Sequence, residues 1–181
     1  MSRYHIVTVW RIEGTIEEVA DVIADVKRLT KWWPAVYIAV EELTPGDKNG
    51  VGKEVALFTK GWLPYTLRWT LRVTEADLPR RLVLTPTGDF VGRGEWTFTQ
   101  EGPMAVVRYD WNVVAKKPLL RALTWLFRPL FTANHNWAMR KGEESVKLEV
   151  ARRRAAREGE RSRIPPPPGR SIITFGRAAG A

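Results

Sequence analysis

The sequence predicts an α+β fold, on three observations. A β-branched and aromatic run at residues 4–12 is followed by helical spacing as far as Pro34. From Ala35 to Ala115 apolar residues recur at every second position, in runs separated by short turn-rich joints. After Lys117 the spacing returns to three and four. The expected order is a strand, two short helices, an antiparallel meander that brings the sheet to about seven strands, and a long C-terminal helix.

The first strand is YHIVTVWRI, ended by Gly14. Thr15-Ile16-Glu17-Glu18 has the form of a capping box, in which the Thr15 hydroxyl accepts from the Glu18 N–H and Glu18 reaches back. Ile16, Val19, Ala20 and Ile23 follow on one helical face. A second short helix, about 27–33, stops at Pro34, which cannot continue it.

The meander runs are 35–43, 51–60, 63–75, 81–87, 90–100 and 104–115. Their joints, such as Pro45-Gly46-Asp47 and Glu101-Gly102-Pro103, are too short for crossover helices, so neighbours pair antiparallel. Alternation sorts the faces. Tyr65, Leu67, Trp69, Leu71 and Val73 share one side; Thr66, Arg68, Thr70 and Arg72 share the other. Val107, Tyr109, Trp111 and Val113 oppose Arg108, Asp110 and Asn112, and Trp96 and Phe98 oppose Glu95, Thr97 and Thr99. One face is wet and the other is apolar and aromatic.

Residues 118–127 read as a short apolar helix, broken at Arg128-Pro129 because proline disfavours helix at the residue before it. Its all-round hydrophobicity suggests a cover over one opening of a cavity. A new helix from Pro129 runs to about 157, with Phe131, His135, Ala138, Gly142, Val146 and Val150 on one stripe. Gly142 costs a helix roughly 1 kcal/mol against alanine, and close approach of helix to sheet is the expected compensation. The domain is set at 1–157. Residues 158–181, with PPPP at 165–168, are expected to be a disordered basic tail.

Composition narrows the function. There are nine tryptophans, four tyrosines and six phenylalanines in 181 residues, more ring surface than a small domain needs merely to fill its middle. No cysteine is present, which excludes disulfides, thiolate nucleophiles and cysteine-ligated zinc. His5 and His135 are far apart with no His-Glu-x-x-His spacing, so no metal is expected. Gly92-x-Gly94 leads into a strand, so it reads as a pair allowing bending or close backbone approach, and no nucleotide cofactor is expected. The start MSRYHIVTVWRIEG lacks the pattern of a signal peptide, and the longest apolar stretch, 119–131, holds two arginines and a proline. A cytoplasmic protein is the expectation. Of the net charge of +9, residues 151–181 carry eight arginines against two glutamates. The basic signal therefore belongs to the tail. Weak contact of that tail with an anionic membrane is one partner reading; nucleic acid is not expected, because the folded part shows no basic surface interleaved with aromatics.

Several stretches in order carry a resemblance: VWRIEGTIEEVADVIADV (9–26), KWWPAV (31–36), PGDKNGVG (45–52), LPYTLRW (63–69), GDFVGRGEWTF (88–98), VVRYDWNV (106–113) and NHNWAMRKGEE (134–144). Over about residues 3–151 the chain resembles the START-like, or SRPBCC, superfamily, in its polyketide cyclase/dehydrase and lipid-transport branch. The resemblance implies a helix-grip fold, with the sheet curled around the long helix to enclose a hydrophobic cavity. It also implies binding or transport of a lipid, polyketide or similar molecule there. An alternative is a cyclase- or aromatase-like enzyme using the same cavity, and another is a membrane-surface lipid-binding protein docked by its tail.

The candidate ligand contacts are rings first: Trp32, Trp33, Tyr37, Phe58, Trp69, Trp96, Tyr109 and Trp111. The long helix adds Phe131, Asn134, His135, Ala138 and Met139. His135 is the one catalytic candidate, as a general acid/base or a donor to a ligand oxygen. Arg140 and Lys141 are expected on the solvated helix face, pairing with Glu143 or Glu144.

Overall fold

The computed structural model describes residues 3–116, 124–156 and 158–170. Its elements in chain order are β1 (Arg3–Glu13), α1 (Ile16–Ala24), a 3-10 turn (Val26–Arg28), α2 (Leu29–Trp32), β2 (Tyr37–Thr44), β3 (Glu54–Lys60), β4 (Thr66–Asp77), β5 (Arg81–Gly88), β6 (Phe90–Glu101), β7 (Met104–Ala115), α3 (Thr124–Arg154) and α4 (Glu158–Arg161).

The strands form one seven-stranded antiparallel sheet in the order β1-β7-β6-β5-β4-β3-β2. The meander folds sequentially from β2 to β7, and β1 closes on β7 with an unbroken register from Arg3↔Val114 to Glu13↔Met104. The sheet curves around α3, as the α+β expectation required. The core lies between them: Trp10, Ile12, Val55, Val107 and Val113 from the sheet, Val19 and Val22 from α1, and Val146 and Val150 from α3 are all buried.

The capping box at α1 is present: Glu18 N donates to Thr15 Oγ1 at 3.3 Å, and Thr15 N donates to Glu18 Oε2 at 2.9 Å. The same carboxylate is clamped by Arg154 at the far end of α3, with two contacts of 2.6 Å. The two helices are thereby joined by charge as well as by apolar packing.

Three sequence expectations need correction. The long helix does not begin afresh at Pro129. It is continuous from Thr124, with Pro129 inside it. Proline's fixed φ fits a helix, and its cost there is one hydrogen bond and a steric clash, about 3 kcal/mol. The cover suggested for 118–127 falls mainly on residues 117–123, which lie outside the described residues.

The second correction concerns Gly142, whose close neighbour is not the sheet. A Cβ there would stand 2.7 Å from Trp33 Cε2 and 2.8 Å from its Cη2, so the glycine admits an indole from the segment after α2. The third concerns β3, where Val55, Leu57 and Thr59 are buried. Phe58 therefore faces out, opposite Arg68, whose guanidinium lies 4.2 Å over its ring.

Lys141 pairs with Glu144, and Lys147 with Glu143, each at 2.8 Å on the outer side of α3. Past the helix, the described part of the segment expected to be a tail carries α4, whose Arg161 donates to the Ala155 carbonyl at 3.0 Å, and it reaches the domain further along as well. Arg152 donates to the Pro165 carbonyl, and Arg170 donates to the Pro34 carbonyl at 3.3 Å. No helix among the described residues is long and apolar enough to cross a membrane.

Candidate functional site

Between the concave face and the N-terminal half of α3 lies a hollow of about 150 Å³. Its walls are largely rings. Trp96 and Tyr109 stack with centroids 3.9 Å apart, and Tyr109 continues onto Trp111 at 5.5 Å. Trp69, Phe90 and Trp111 meet edge to face at 5.7–5.9 Å. Phe131 of α3 closes the opposite side, edge-on to Tyr4 at 6.3 Å and Tyr65 at 6.0 Å. All four tyrosines of the chain, Tyr4, Tyr37, Tyr65 and Tyr109, line this space.

Glycine makes room on the sheet side. At Gly94 a Cβ would sit 2.8 Å from the Tyr109 hydroxyl and 2.9 Å from Trp111 Cε3. A side chain there would displace the stack that forms the wall. Gly92, at φ 151°, would meet Val113 Cα at 2.7 Å, the close backbone approach that the Gly-x-Gly spacing suggested.

A second hollow of about 310 Å³ opens between the C-terminal end of α1, α2 and the β2–β3 loop. It is lined by Val26, Leu29, Leu71, Val73 and Leu84, with Lys48 and Lys53 among its polar residues. Trp33, Tyr37, Trp69, Trp96 and Tyr109 belong to both hollows, so this ring set is the partition between them.

The polar groups of the first hollow are few. Thr59 is buried and its Oγ1 accepts the Trp69 indole N–H at 3.1 Å. Asn134 Oδ1 accepts the backbone N–H groups of Trp62 at 2.9 Å and Leu63 at 3.2 Å, tying the β3–β4 loop to α3. Gly61 lets this happen, because a Cβ there would collide with the Asn134 amide. Desolvation raises the Tyr37, Tyr65 and Tyr109 phenols above their ordinary range, with small additions from Tyr4 at Tyr65 and from Tyr37 at Tyr109. They are therefore neutral donors at physiological pH.

Burial lowers His135 to about 4, so its imidazole is neutral as well. His135 Nε2 and the Trp33 indole nitrogen are both buried without a hydrogen-bond partner. Among the described residues no carboxylate lines the hollow, and Lys60, at the end of β3, is the one lysine that does. Among the described residues no cluster of three or more His, Asp or Glu is placed to hold a metal.

Most of the sequence-predicted contacts converge here: Trp33, Tyr37, Trp69, Trp96, Tyr109 and Trp111, together with Phe131, Asn134, His135, Ala138 and Met139. Two do not. Trp32 lines the second hollow, with its indole donating to the Asp25 carbonyl at 3.3 Å, and Phe58 lies on the outer face. His5 also faces outward, 2.6 Å from Asp110. Sequence reasoning missed Tyr4 and Ile6, which share a face with Trp10 and Ile12 by simple alternation along β1. It also missed Tyr65 and Phe90 as wall residues, although Tyr65 was already on the inward face.

No family model and no curated protein matches the chain. Solved structures do match it. An aromatase/cyclase, Zhui, from Streptomyces sp. R1128 superposes with a TM-score of 0.64 at 20% identity, covering 86% of this chain and 98% of that one. A START superfamily protein from Mycobacterium smegmatis gives 0.63 at 12%, covering 81% and 96%. Norcoclaurine synthase from Thalictrum flavum, in complex with dopamine and hydroxybenzaldehyde, gives 0.58 at 14%, covering 86% and 90%. The fold is the START-like helix-grip fold.

Proposed function

We propose that this protein binds or carries a hydrophobic small molecule in the hollow between its sheet and α3. The observation that carries the proposal is the ring-walled space itself. Ten aromatic residues line this space and still leave about 150 Å³ unfilled beside Ala138. Burying an apolar guest against such ring-lined walls is favourable by roughly 25 cal/mol per Å² of apolar surface removed from water. Similar folds support the reading: the Streptomyces protein is an aromatase/cyclase, and the Thalictrum enzyme holds two ring-containing molecules.

The second reading is an enzyme of the cyclase or aromatase kind, and one observation favours it. His135 lines the hollow, and its buried Nε2 has no hydrogen-bond partner. A base held near pKa 4 is weak at neutral pH, and among the described residues no carboxylate lines the hollow with it. This favours binding over acid–base catalysis.

Native mass spectrometry of the purified full chain tests the proposal, followed by identification of any small molecule released. A co-purifying apolar species is expected, together with its loss in Ala138→Phe, which fills the hollow. Retention of the same species by a folded Ala138→Phe protein would contradict the assignment of the site. Turnover of that species by wild type but not by His135→Ala would replace the carrier reading with the enzymatic one.

A further inference from the structure

The second hollow differs from the first in where it opens and in what stands at its mouth. The first reaches the β3–β4 loop at Gly61 and the β5–β6 joint at Phe90. The second reaches the β2–β3 loop at Pro45, Lys48 and Gly50 and the β4–β5 turn at Leu78. In an antiparallel meander those two sets of loops lie at opposite ends of the strands. Behind the mouth the second hollow is aliphatic. Val26, Leu29, Leu71, Val73, Leu82 and Leu84 line it, and all six are buried.

The rim is charged and held in place. Its charged residues are Asp47, Lys48 and Lys53. The Asp47 carboxylate is engaged within its own loop, where Oδ1 accepts the Asn49 N–H at 2.8 Å and the Val51 N–H at 2.9 Å. The backbone at Lys53 is tied to β4. Its carbonyl accepts the Val73 N–H at 2.9 Å, and the neighbouring Gly52 donates to the Val73 carbonyl at 2.8 Å. Lys48 is exposed and Lys53 half-buried. Among the described residues neither side chain pairs with a carboxylate. Leu78, which lines the same hollow, is 40% exposed.

An aliphatic interior behind two unpaired cations matches a molecule with an alkyl body and an anionic head. We propose that the second hollow is a binding site for an anionic amphiphile, with its chain against the leucines and its carboxylate or phosphate head at Lys48 and Lys53. Burial of the chain supplies most of the affinity, and the exposed lysines supply the choice of head. The site is separate from the first hollow, so its failure leaves the function proposed above standing.

The test titrates the full chain at neutral pH with four ten-carbon probes below their micelle concentrations: decanoate, decyl phosphate, decanol and decyltrimethylammonium. Calorimetry reads the affinity, and the amide NMR shifts of Gly50 and Leu78 read the place. The anions are expected to bind about fivefold tighter than decanol, the yield of two exposed ion pairs, and the cation weakest. Shortening decanoate to octanoate should weaken it about tenfold. The double variant Lys48→Gln, Lys53→Gln should erase the preference for anions and leave decanol within about twofold. Ala24 lines this hollow at the end of α1, so Ala24→Phe should abolish decanoate binding, whereas Ala138→Phe, which fills the first hollow, should leave it unchanged. Either anion binding above decanol supports the proposal, and their order tells a carboxylate source from a phosphate one. Equal binding of decanol and both anions by wild type overturns it, as does an anion preference that survives in the lysine variant. Loss of decanoate in Ala138→Phe with retention in Ala24→Phe places the guest in the first hollow and overturns it too. So does binding of none of the four.

Discussion

At the scale of single residues, His135 and Gly142 show how much one side chain decides. His135 titrates near 4 in the folded protein because burial disfavours the imidazolium. Unfolded, it titrates near 6.5. Between those values the unfolded chain binds a proton that the folded chain refuses, so stability falls as the pH drops through that window. The effect is at most about 3 kcal/mol. Denaturant titrations from pH 7 to 4 should show a steeper loss for wild type than for His135→Leu. Parallel curves would mean that the ring is solvated. At Gly142, alanine would gain roughly 1 kcal/mol of helix propensity, but its methyl would press on a Trp33 indole locked among three other rings. Overpacking of this kind costs about 1–3 kcal/mol. Gly142→Ala is therefore expected to lower the urea midpoint, and an unchanged or raised midpoint would show that Trp33 yields.

At the scale of elements, the strands and both helical regions were legible from periodicity, because a half-buried strand and a core-facing helix leave different repeats. Phe58 was not. Leu57 and Phe58 are adjacent and both apolar, so the pattern left open which one faces in. Thr59 resolved it by a route invisible in sequence: buried, it accepts the Trp69 indole N–H at 3.1 Å. Asn134 was legible as an inward polar residue but not in its task. Its carboxamide oxygen is occupied by the Trp62 and Leu63 N–H groups, 72 and 71 residues away in sequence, a pairing that only the folded chain reveals. Asn134→Ala leaves both donors without that acceptor. It should destabilise the protein by about 1–3 kcal/mol and speed amide exchange at Trp62 and Leu63 more than elsewhere. Uniform exchange across the chain would contradict a local tether.

The join between α1 and α3 is also an element-scale feature. Its partner at the α1 end, the capping box, was readable at four consecutive residues, whereas Arg154 was not. The Arg154 guanidinium, then the Thr15 N–H, hold the Glu18 carboxyl at about 2. A carboxylate depressed in this way contributes stability above its unfolded pKa of about 4.5, which is lost as the pH falls toward 2. The pair is half-exposed, so its worth is under about 1 kcal/mol. Arg154→Ala should move the Glu18 titration, followed by NMR, back toward the ordinary carboxylate range. No movement would mean that the clamp is not formed in solution.

At the scale of the molecule, the hollow is a consequence of sheet curvature, ring bulk and missing side chains together. The concave face carries glycine at 92 and 94 where β6 crosses the stack, and α3 faces it with Ala138 and Gly142. Large flat rings bridge the gap without filling it. They also divide the space in two, with Trp33, Tyr37, Trp69, Trp96 and Tyr109 shared between the parts. Sequence alone supplied the rings and their faces. The partition arises from centroid separations of a few ångströms between residues on five different segments. A crystal of the protein pressurised with xenon tests the central claim most directly, since a dry apolar cavity admits that atom. A xenon site enclosed by Trp69, Trp111 and Phe131 is the expected result. Density showing those rings closed on one another, with no xenon between sheet and helix, would contradict the account.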